Sequence, residues 1–264
     1  MQPDQITTIA DSFVAARKSG RSLSAFPGPV PEELAPAYAI QDEAIARFGG
    51  AVGGWKVGRI WPPLSEKFGA DRLSGPIFAA LITNGSAPIG RAFDGGFTAA
   101  EAEFLLRIGA TPDPAKSKYT LDEAEALIDA VHVGIEVASS PLATINALGP
   151  PVIISDFGNN NGLIMGPAVS DWRESGFADW EVVTKIDGAE AGRGCASAFP
   201  DGPIGSVRFL LENLVARGIR VPAGTWVSTG AVTGVHTVGA GQRVTARFGP
   251  DHHLECTIEA VPQK

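Results

Sequence analysis

Two carboxylates stand one residue apart in an apolar segment of the sequence. The segment FTAAEAEFLLRIG, residues 97–109, carries Glu101 and Glu103 among side chains that otherwise predict a buried β-strand. Because neighbouring side chains of a strand point to opposite faces, both glutamates lie on one face and Phe104 and Leu106 lie on the other. Two buried like charges repel each other and lose their hydration. A divalent cation between them removes this conflict, since Mg²⁺, Mn²⁺ and Ca²⁺ prefer oxygen ligands.

A third carboxylate occupies a similar position in another apolar segment. In HVGIEVASS, residues 132–140, Glu136 points away from the face that carries Ile135 and Val137. Three carboxylates without a His or Cys partner favour Mg²⁺ or Mn²⁺ over Zn²⁺. The alternative is an exposed edge strand, on which acidic residues are ordinary, and it would have to hold for both segments. The metal hypothesis predicts the ligands Glu101, Glu103 and Glu136.

A lysine and two polar loops supply further candidates. Lys56 lies in GGWKVGRI, a short predicted strand whose glycines let a ligand approach closely. If it faced the carboxylates it could bind a carboxylate substrate or transfer a proton, whereas most lone strand lysines lie at the surface. The loops SDFGNNNG and VSTGAVTG either form simple turns or line a ligand site. Their candidate substrate-binding residues are Asp156, Asn159, Asn160, Ser228 and Thr229.

The elements around these residues indicate an α+β fold. Helical periodicity is found in the first 20 residues, in residues 31–48, in TLDEAEALIDAV with its Thr120–Glu123 capping box, and in PIGSVRFLLENLVARG. Short apolar runs broken by Gly and Pro predict strands, among them HVGIEVASS and PPVIISDFG, and the tail predicts a hairpin around GPDH. Helices and strands do not alternate regularly. The pattern therefore favours a mixed, mainly antiparallel β core with peripheral helices over a doubly wound sheet.

Composition excludes several classes of function. The chain has 264 residues and a formal net charge of -8, and no basic run is present, which argues against nucleic acid or anionic membrane as a partner. Cys195 and Cys256 are too few for a disulfide framework and lack zinc-site spacing. No apolar run is long enough to span a bilayer, and the N-terminus does not resemble a signal peptide. A soluble cytoplasmic protein is expected.

The motifs together resemble the 2-keto-4-pentenoate hydratase and 4-oxalocrotonate decarboxylase family of the fumarylacetoacetate hydrolase superfamily. The resemblance is carried, in this order, by AYAIQ, GWKVG, EAEF, GIEVASS, ISDFGNNNGLIMG and WVSTGAVTG. It implies a fumarylacetoacetase C-terminal-like mixed β-sandwich or roll core, with a packed N-terminal region over residues 1–85 and a catalytic β-rich domain over residues 86–264. It also implies a homo-oligomer with Mg²⁺ or Mn²⁺ on the three glutamates and Lys56 in the active site.

The activity that this resemblance implies is a lyase reaction on a short 2-oxo or 2-hydroxydienoic acid from the catabolism of aromatic compounds. The first expectation is a hydratase that adds water to 2-hydroxypenta-2,4-dienoate, or a close homologue, to form a 4-hydroxy-2-oxo acid. The alternatives are a decarboxylase of 2-oxo diacids of the 4-oxalocrotonate type, an acylpyruvate hydrolase, and a non-catalytic partner subunit. Family hydratases carry a catalytic Pro-Asp dipeptide where this chain reads ADRLSGPIF, so Asp71 is the nearest candidate for their acid.

Overall fold

The computed structural model describes residues 1–85 and 87–264. The helices of these ranges are α1 (Pro3–Ser19), α2 (Leu34–Phe48), α3 (Leu64–Phe68), α4 (Leu121–Ala126), α5 (Ile145–Leu148), α6 (Pro150–Ser155) and α7 (Gly202–Ala216). The strands are β1 (Val52–Arg59), β2 (Arg72–Phe78), β3 (Ile82–Thr83), β4 (Ile89–Ala92), β5 (Phe97–Ile108), β6 (Ile128–Ser140), β7 (Asn160–Ala168), β8 (Val182–Ile186), β9 (Ala189–Gly194), β10 (Trp226–Ser228), β11 (His236–Thr237), β12 (Arg243–Phe248) and β13 (His252–Ala260).

Within the described ranges these strands form two sheets, and the long strands β5 and β6 lie at the centre of the larger one. Its order is β2-β1-β10-β5-β6-β7-β3, with β11 alongside β5. The smaller sheet has the order β4-β13-β12-β8-β9. Most neighbours are antiparallel, and the pairs β1 with β10, β3 with β7 and β4 with β13 are parallel. The predicted α+β fold with a mixed, mainly antiparallel β core is confirmed.

The main hydrophobic core explains why β5 is apolar on one face. Phe104 and Leu106 are fully buried and pack in one cluster with Val133 of β6 and with Val244 and Phe248 of the smaller sheet. This face therefore supplies burial energy, at about 25 cal/mol for each Å² of apolar surface removed from water. The glutamates of β5 belong to the opposite face, as the alternation predicts.

Several local predictions hold, and one does not. The capping box forms, with the Glu123 amide donating to Thr120 Oγ1 at 3.2 Å and the Thr120 amide donating to Glu123 Oε2 at 2.9 Å. The segment PPVIISDFG, predicted as a strand, is instead helix α6 followed by a 3-10 turn over Phe157–Asn159. Two prolines occupy the first turn of this helix, where a missing amide proton is tolerated. An apolar run this short has no period that separates strand from helix.

The N-terminal part of the chain joins the same sheet as the central strands. β1, β2 and β3 precede residue 85, and β1 and β3 pair with β10 and β7, which come late in the chain. The predicted domain boundary between residues 85 and 86 falls at Ser86, outside the described residues, and the division stays a prediction. In the described part of the chain, no helix has the length and apolar character needed to cross a membrane.

Candidate active site

The register of β5 against β6 brings the three glutamates together. Glu101 is paired with Glu136, and Glu103 with Gly134, so all three carboxylates lie on the same face of the sheet. One oxygen from each carboxylate lies within 4.8 Å of the other two. The residues are 4%, 0% and 0% exposed in the order Glu101, Glu103, Glu136. The alternative of an exposed edge strand therefore does not apply to these residues.

The hydrogen bonds of this carboxylate cluster hold some oxygens and leave others free. Glu103 Oε2 accepts from Ser228 Oγ at 2.6 Å and from the Gly230 amide at 2.8 Å, and Glu136 Oε1 accepts from Asn160 Nδ2 at 2.9 Å. Glu103 Oε1 is buried with no hydrogen-bond partner among residues 1–85 and 87–264, and the contact of Glu136 Oε2 is the Lys56 ammonium, 3.2 Å away. Buried acceptors are rarely left unpaired. An all-oxygen set with free, converging acceptors fits a hard divalent cation.

Lys56 is buried beside the cluster. Its Nζ lies 3.2 Å from Glu136 Oε2, and the residue is 4% exposed, so it is not a surface lysine. Parallel pairing of β1 with β10 sets Lys56 opposite Ser228, whose hydroxyl contacts Glu103. Glycine is required nearby, because a Cβ at Gly75 would lie 2.1 Å from a backbone carbonyl oxygen of the neighbouring turn. Tight backbone packing thus positions the lysine against the carboxylates.

The charges of the cluster perturb one another strongly. Burial raises the pKa of Glu101 to about 7; the charge of Lys56 opposes this rise and that of Glu136 adds to it. Burial and the two other carboxylates raise the pKa of Glu103 well above its ordinary range. Burial alone would lower the pKa of Lys56, but the three carboxylates outweigh it and raise that pKa above its ordinary value. Without a cation, the lysine stays charged at neutral pH, and the raised pKa values of Glu101 and Glu103 favour their protonated forms.

Cation binding at this cluster should strengthen as pH rises through about 7. The Glu101 carboxyl must lose its proton to become a ligand, so protons compete with the metal. In metal-free protein its folded pKa of about 7 exceeds the ordinary value of 4.5, so its contribution to stability falls as pH rises across that window. We expect the Tm increase caused by Mn²⁺ to be much larger at about pH 8 than at about pH 5.5. Equal increases at both pH values, measured by differential scanning fluorimetry, would contradict the assignment.

A cavity of about 390 Å³ opens beside the cluster. Its polar lining residues include Lys56, Arg59, Arg72, Glu101, Asn146, Asn159 and Thr229. Its apolar lining residues include Val57, Leu73, Ile153, Phe199 and Val235. A concave lining that combines apolar side chains with a few polar groups is typical of sites for small organic ligands.

The structure brings most of the sequence-predicted residues to this place, in different ways. Ser228 and Asn160 contact the glutamates directly, whereas Asn159 and Thr229 line the cavity. The Oδ1 atom of Asn159 is buried and has no hydrogen-bond partner in the described ranges, so it is open to a ligand. Asn146, which no motif marked, contributes a second amide through its 3.3 Å contact with Asn159.

Two predicted site residues lie elsewhere. The Asp71 side chain is 54% exposed and paired with Arg72, and it does not line the cavity. Asp156 is fully buried but forms an ion pair with Arg17 of α1, with Nε donating to Oδ1 at 2.5 Å and Nη2 to Oδ2 at 2.9 Å. Asp71 comes at the end of a turn and points to solvent, while Asp156 ends α6 and points toward α1. Neither is placed to contact a ligand in the cavity.

The Arg17–Asp156 pair connects the N-terminal helix to the carboxylate cluster. Arg17 Nη1 also donates to the Asn160 carbonyl at 2.9 Å, and the Asn160 side chain donates to Glu136. Ser140 Oγ donates to Asp156 Oδ2 at 2.6 Å, which completes the pairing of the buried carboxylate. Sequence periodicity gave no sign of this role for Arg17, because the partner is distant in the chain.

Replacing Arg17 by methionine should lower the free energy of unfolding by about 3–5 kcal/mol, because Asp156 would be left buried without its counter-charge. The double variant Arg17→Met/Asp156→Asn should recover part of this loss. The measurement is urea denaturation followed by far-UV circular dichroism. Arg47→Met is the matched control, since Arg47 of α2 forms exposed pairs with Asp11 and Glu43 and should change stability little. A loss no larger than that of the control would contradict the structural role of Arg17.

Comparison with known proteins identifies a homologue and solved structures of the same fold. No family model matches the chain. The chain is 24% identical over 253 residues to 4-oxalocrotonate decarboxylase of Pseudomonas putida, covering 93% of each protein. The structure of 4-oxalocrotonate decarboxylase from Pseudomonas putida G7, complexed with magnesium and adipate, superposes with a TM-score of 0.82 at 22% identity over 98% of both chains. Fumarylpyruvate hydrolase from Pseudomonas aeruginosa, in complex with Mn²⁺ and pyruvate, has a TM-score of 0.54 at 18% identity, covering 78% of this chain and 89% of its own.

The first two similarities cover nearly the whole chain. The third has a lower TM-score over a smaller part of the chain. The chain is a homologue of 4-oxalocrotonate decarboxylase and has the fold of the fumarylacetoacetate hydrolase superfamily.

Proposed function

We propose that this protein is a divalent-metal-dependent lyase that decarboxylates a short unsaturated 2-oxo diacid of the 4-oxalocrotonate type. The observation that carries the proposal is the buried cluster of three glutamates with Lys56 at the end of a small cavity. Decarboxylation, rather than another reaction on this fold, is favoured by the full-length similarity to a decarboxylase. The intact cluster argues against a purely non-catalytic partner subunit.

Glu101, Glu103 and Glu136 would hold Mg²⁺ or Mn²⁺, in keeping with the magnesium and Mn²⁺ complexes of the two solved structures. The bound ion would supply Lewis-acid stabilisation of the negative charge that develops on the 2-oxo group. Ser228 and Asn160 orient two of these carboxylates through hydrogen bonds. Such partners of metal ligands fix the ligand geometry, and their removal commonly weakens metal binding about 10–100-fold.

Decarboxylation of a 2-oxohex-3-enedioate breaks one carbon–carbon bond and adds one proton. The bond between C5 and C6 breaks, C6 leaves as CO2, and its electron pair shifts along the chain to the 2-oxo oxygen. One proton then converts the dienolate into 2-hydroxypenta-2,4-dienoate. Lys56 is charged and buried, so its ammonium is suited to lie beside the developing oxyanion. It would donate that proton once a bound cation offsets the carboxylate charges that raise its pKa.

Hydration of a dienoic acid, the first expectation from the sequence, stays a prediction with less support. It needs a group that delivers water to a substrate carbon, and the candidate Asp71 is exposed and outside the cavity. The cavity contains Glu101 as its acidic residue within the described ranges, and that residue belongs to the metal-binding set.

The proposal is tested by incubating purified protein and Mn²⁺ with 4-oxalocrotonate and, separately, with 2-hydroxypenta-2,4-dienoate. We expect stoichiometric release of CO2 from the diacid, formation of the dienol by proton NMR, and loss of both with EDTA. Conversion of the dienol to a 4-hydroxy-2-oxo acid without CO2 release from the diacid would establish a hydratase instead. Absence of turnover with both compounds would refute the decarboxylase and the hydratase assignments and would leave the non-catalytic alternative.

A further inference from the structure

We propose that Arg59 binds the distal carboxylate of the substrate and makes this site selective for 2-oxo diacids over 2-oxo monoacids. The inference rests on the proposed function and adds the residue that decides substrate class. Arg59 ends strand β1, lines the cavity, and has no role in the carboxylate cluster.

The first observation is the spacing of two cations along one strand. Lys56 and Arg59 both line the cavity. Because residues three apart in a strand leave it on opposite faces, the two side chains approach the cavity from different sides. A diacid could therefore place its 2-oxo acid group beside Lys56 and the glutamates while its other carboxylate meets Arg59 in a charge-assisted hydrogen bond.

The second observation is that the Arg59 guanidinium is oriented but not neutralised. It lies over the ring of Trp61 at 3.7 Å from the centroid, and 5.9 Å from the ring centroid of Phe199. Its side chain has no hydrogen bond or ion pair with residues 1–85 or 87–264. Stacking on an aromatic face holds the guanidinium plane and leaves its N–H edge free for a planar anion such as a carboxylate.

The third observation concerns the other charges of this wall. Arg72 lies opposite Arg59 in the β1–β2 register and also lines the cavity. Arg72 is already engaged by Asp71 and by the Pro200 carbonyl, and in the part of the chain that the structure describes no acidic residue lines this end of the cavity. The free positive charge of Arg59 therefore has no counter-ion of its own. A bound diacid supplies one, whereas a monoacid leaves the guanidinium unpaired.

The role of Arg59 follows from the movement of negative charge in the substrate during decarboxylation. The distal carboxylate is the group that leaves as CO2, and its negative charge shifts toward the 2-oxo oxygen. An ion pair with Arg59 is therefore stronger with bound substrate than in the transition state. Arg59 should lower KM without raising kcat, so it acts in selectivity and not in the chemical step.

The test measures binding to Mn²⁺-loaded protein by isothermal titration calorimetry, with 2-oxoadipate as diacid and 2-oxohexanoate as monoacid of the same chain length. Wild type should bind 2-oxoadipate more tightly. Arg59→Met should raise the Kd of 2-oxoadipate about tenfold or more, with little change for 2-oxohexanoate. In turnover, the same variant should raise KM for the diacid while kcat is unchanged or higher.

Two controls keep the result interpretable. Arg59→Met must bind Mn²⁺ as wild type does, which shows that the variant is folded. Arg107→Met is the matched control, because Arg107 also lies over a tryptophan ring, that of Trp226, but does not line the cavity. It should change neither Kd.

Three outcomes would overturn the assignment of Arg59: no preference of wild type for 2-oxoadipate, an unchanged Kd of 2-oxoadipate in Arg59→Met, or equal weakening of both ligands in that variant. An Arg59-dependent preference for 2-oxoadipate without CO2 release from 4-oxalocrotonate would support this inference and refute the proposed decarboxylation. The two failures are therefore distinguishable.

Discussion

The Glu103→Gln variant should lose Mn²⁺ binding, and with it all metal-dependent turnover. The Glu103 side chain accepts two hydrogen bonds at Oε2, from Ser228 and Gly230, while Oε1 is free. A glutamine would keep its oxygen toward those two donors and turn its amino group toward the carboxylate cluster. An amide N–H is not a cation ligand, and one negative charge is lost as well. Removal of a hydrogen-bond partner of a metal ligand typically weakens metal binding about 10–100-fold. Loss of the ligand Glu103 itself should weaken Mn²⁺ binding by more than that.

The same substitution should not destabilise the metal-free protein. Burial and the neighbouring carboxylates raise the pKa of Glu103 because they disfavour its negative charge. A neutral amide of equal size cannot carry that charge. We expect the metal-free Tm to be equal to or above that of wild type. Mn²⁺ affinity is measured by electron paramagnetic resonance titration and Tm by calorimetry. Glu255→Gln is the matched control, since Glu255 is an exposed strand glutamate on β13. Wild-type Mn²⁺ affinity in Glu103→Gln would refute the metal site.

The Lys56→Met variant should lose activity and keep the metal. Loss of a positioned proton donor commonly lowers turnover about 10²–10⁴-fold. Methionine preserves much of the buried aliphatic stem, so the packing against Gly158 is largely retained. Removal of a positive charge 3.2 Å from Glu136 also removes a competitor of the metal cation. Mn²⁺ affinity at alkaline pH should therefore be equal to that of wild type or higher.

Both variants should lose turnover, but Glu103→Gln should also lose Mn²⁺ binding, whereas Lys56→Met should keep it. This difference separates the role of the metal ligand from that of the proton donor. Stopped-flow measurement of dienol formation and Mn²⁺ titration on the same preparation give both quantities. Lys185→Met on β8 is the control, because Lys185 is an exposed strand lysine. If Lys56→Met turned over the diacid at the wild-type rate, the proton-donor role would be refuted. A loss of Mn²⁺ binding in this variant would instead show that Lys56 only supports the cluster.

Local patterns predicted the elements that have a clear period or a cap. The Thr120–Glu123 capping box and the alternation in β5 and β6 are set by residues within a few positions of each other. The segment PPVIISDFG was assigned wrongly because a short apolar run satisfies both periods, and its helical form depends on packing against α2 and the nearby core.

Residue roles that depend on distant partners were less predictable. Asp156 appeared to belong to a ligand-lining loop, but Arg17 from the other end of the chain neutralises it. Asn146 and Arg59 carried no motif, and they became candidates only when the cavity was seen between their elements. Asp71 is the acid nearest in sequence to the position of the family's catalytic Asp, although out of register with it, and its side chain points to solvent.

The sequence by itself determined that Glu101, Glu103 and Glu136 face away from the apolar core, because side-chain alternation in a strand is a local property. It also determined the oxygen-only donor set and hence the class of cation. Tertiary structure decided that Glu101 lies opposite Glu136, that Lys56 is inserted beside them, and that Arg59 lines the cavity with no ion pair to residues 1–85 or 87–264. These arrangements follow from strand order and register, which are fixed by contacts between residues far apart in the chain.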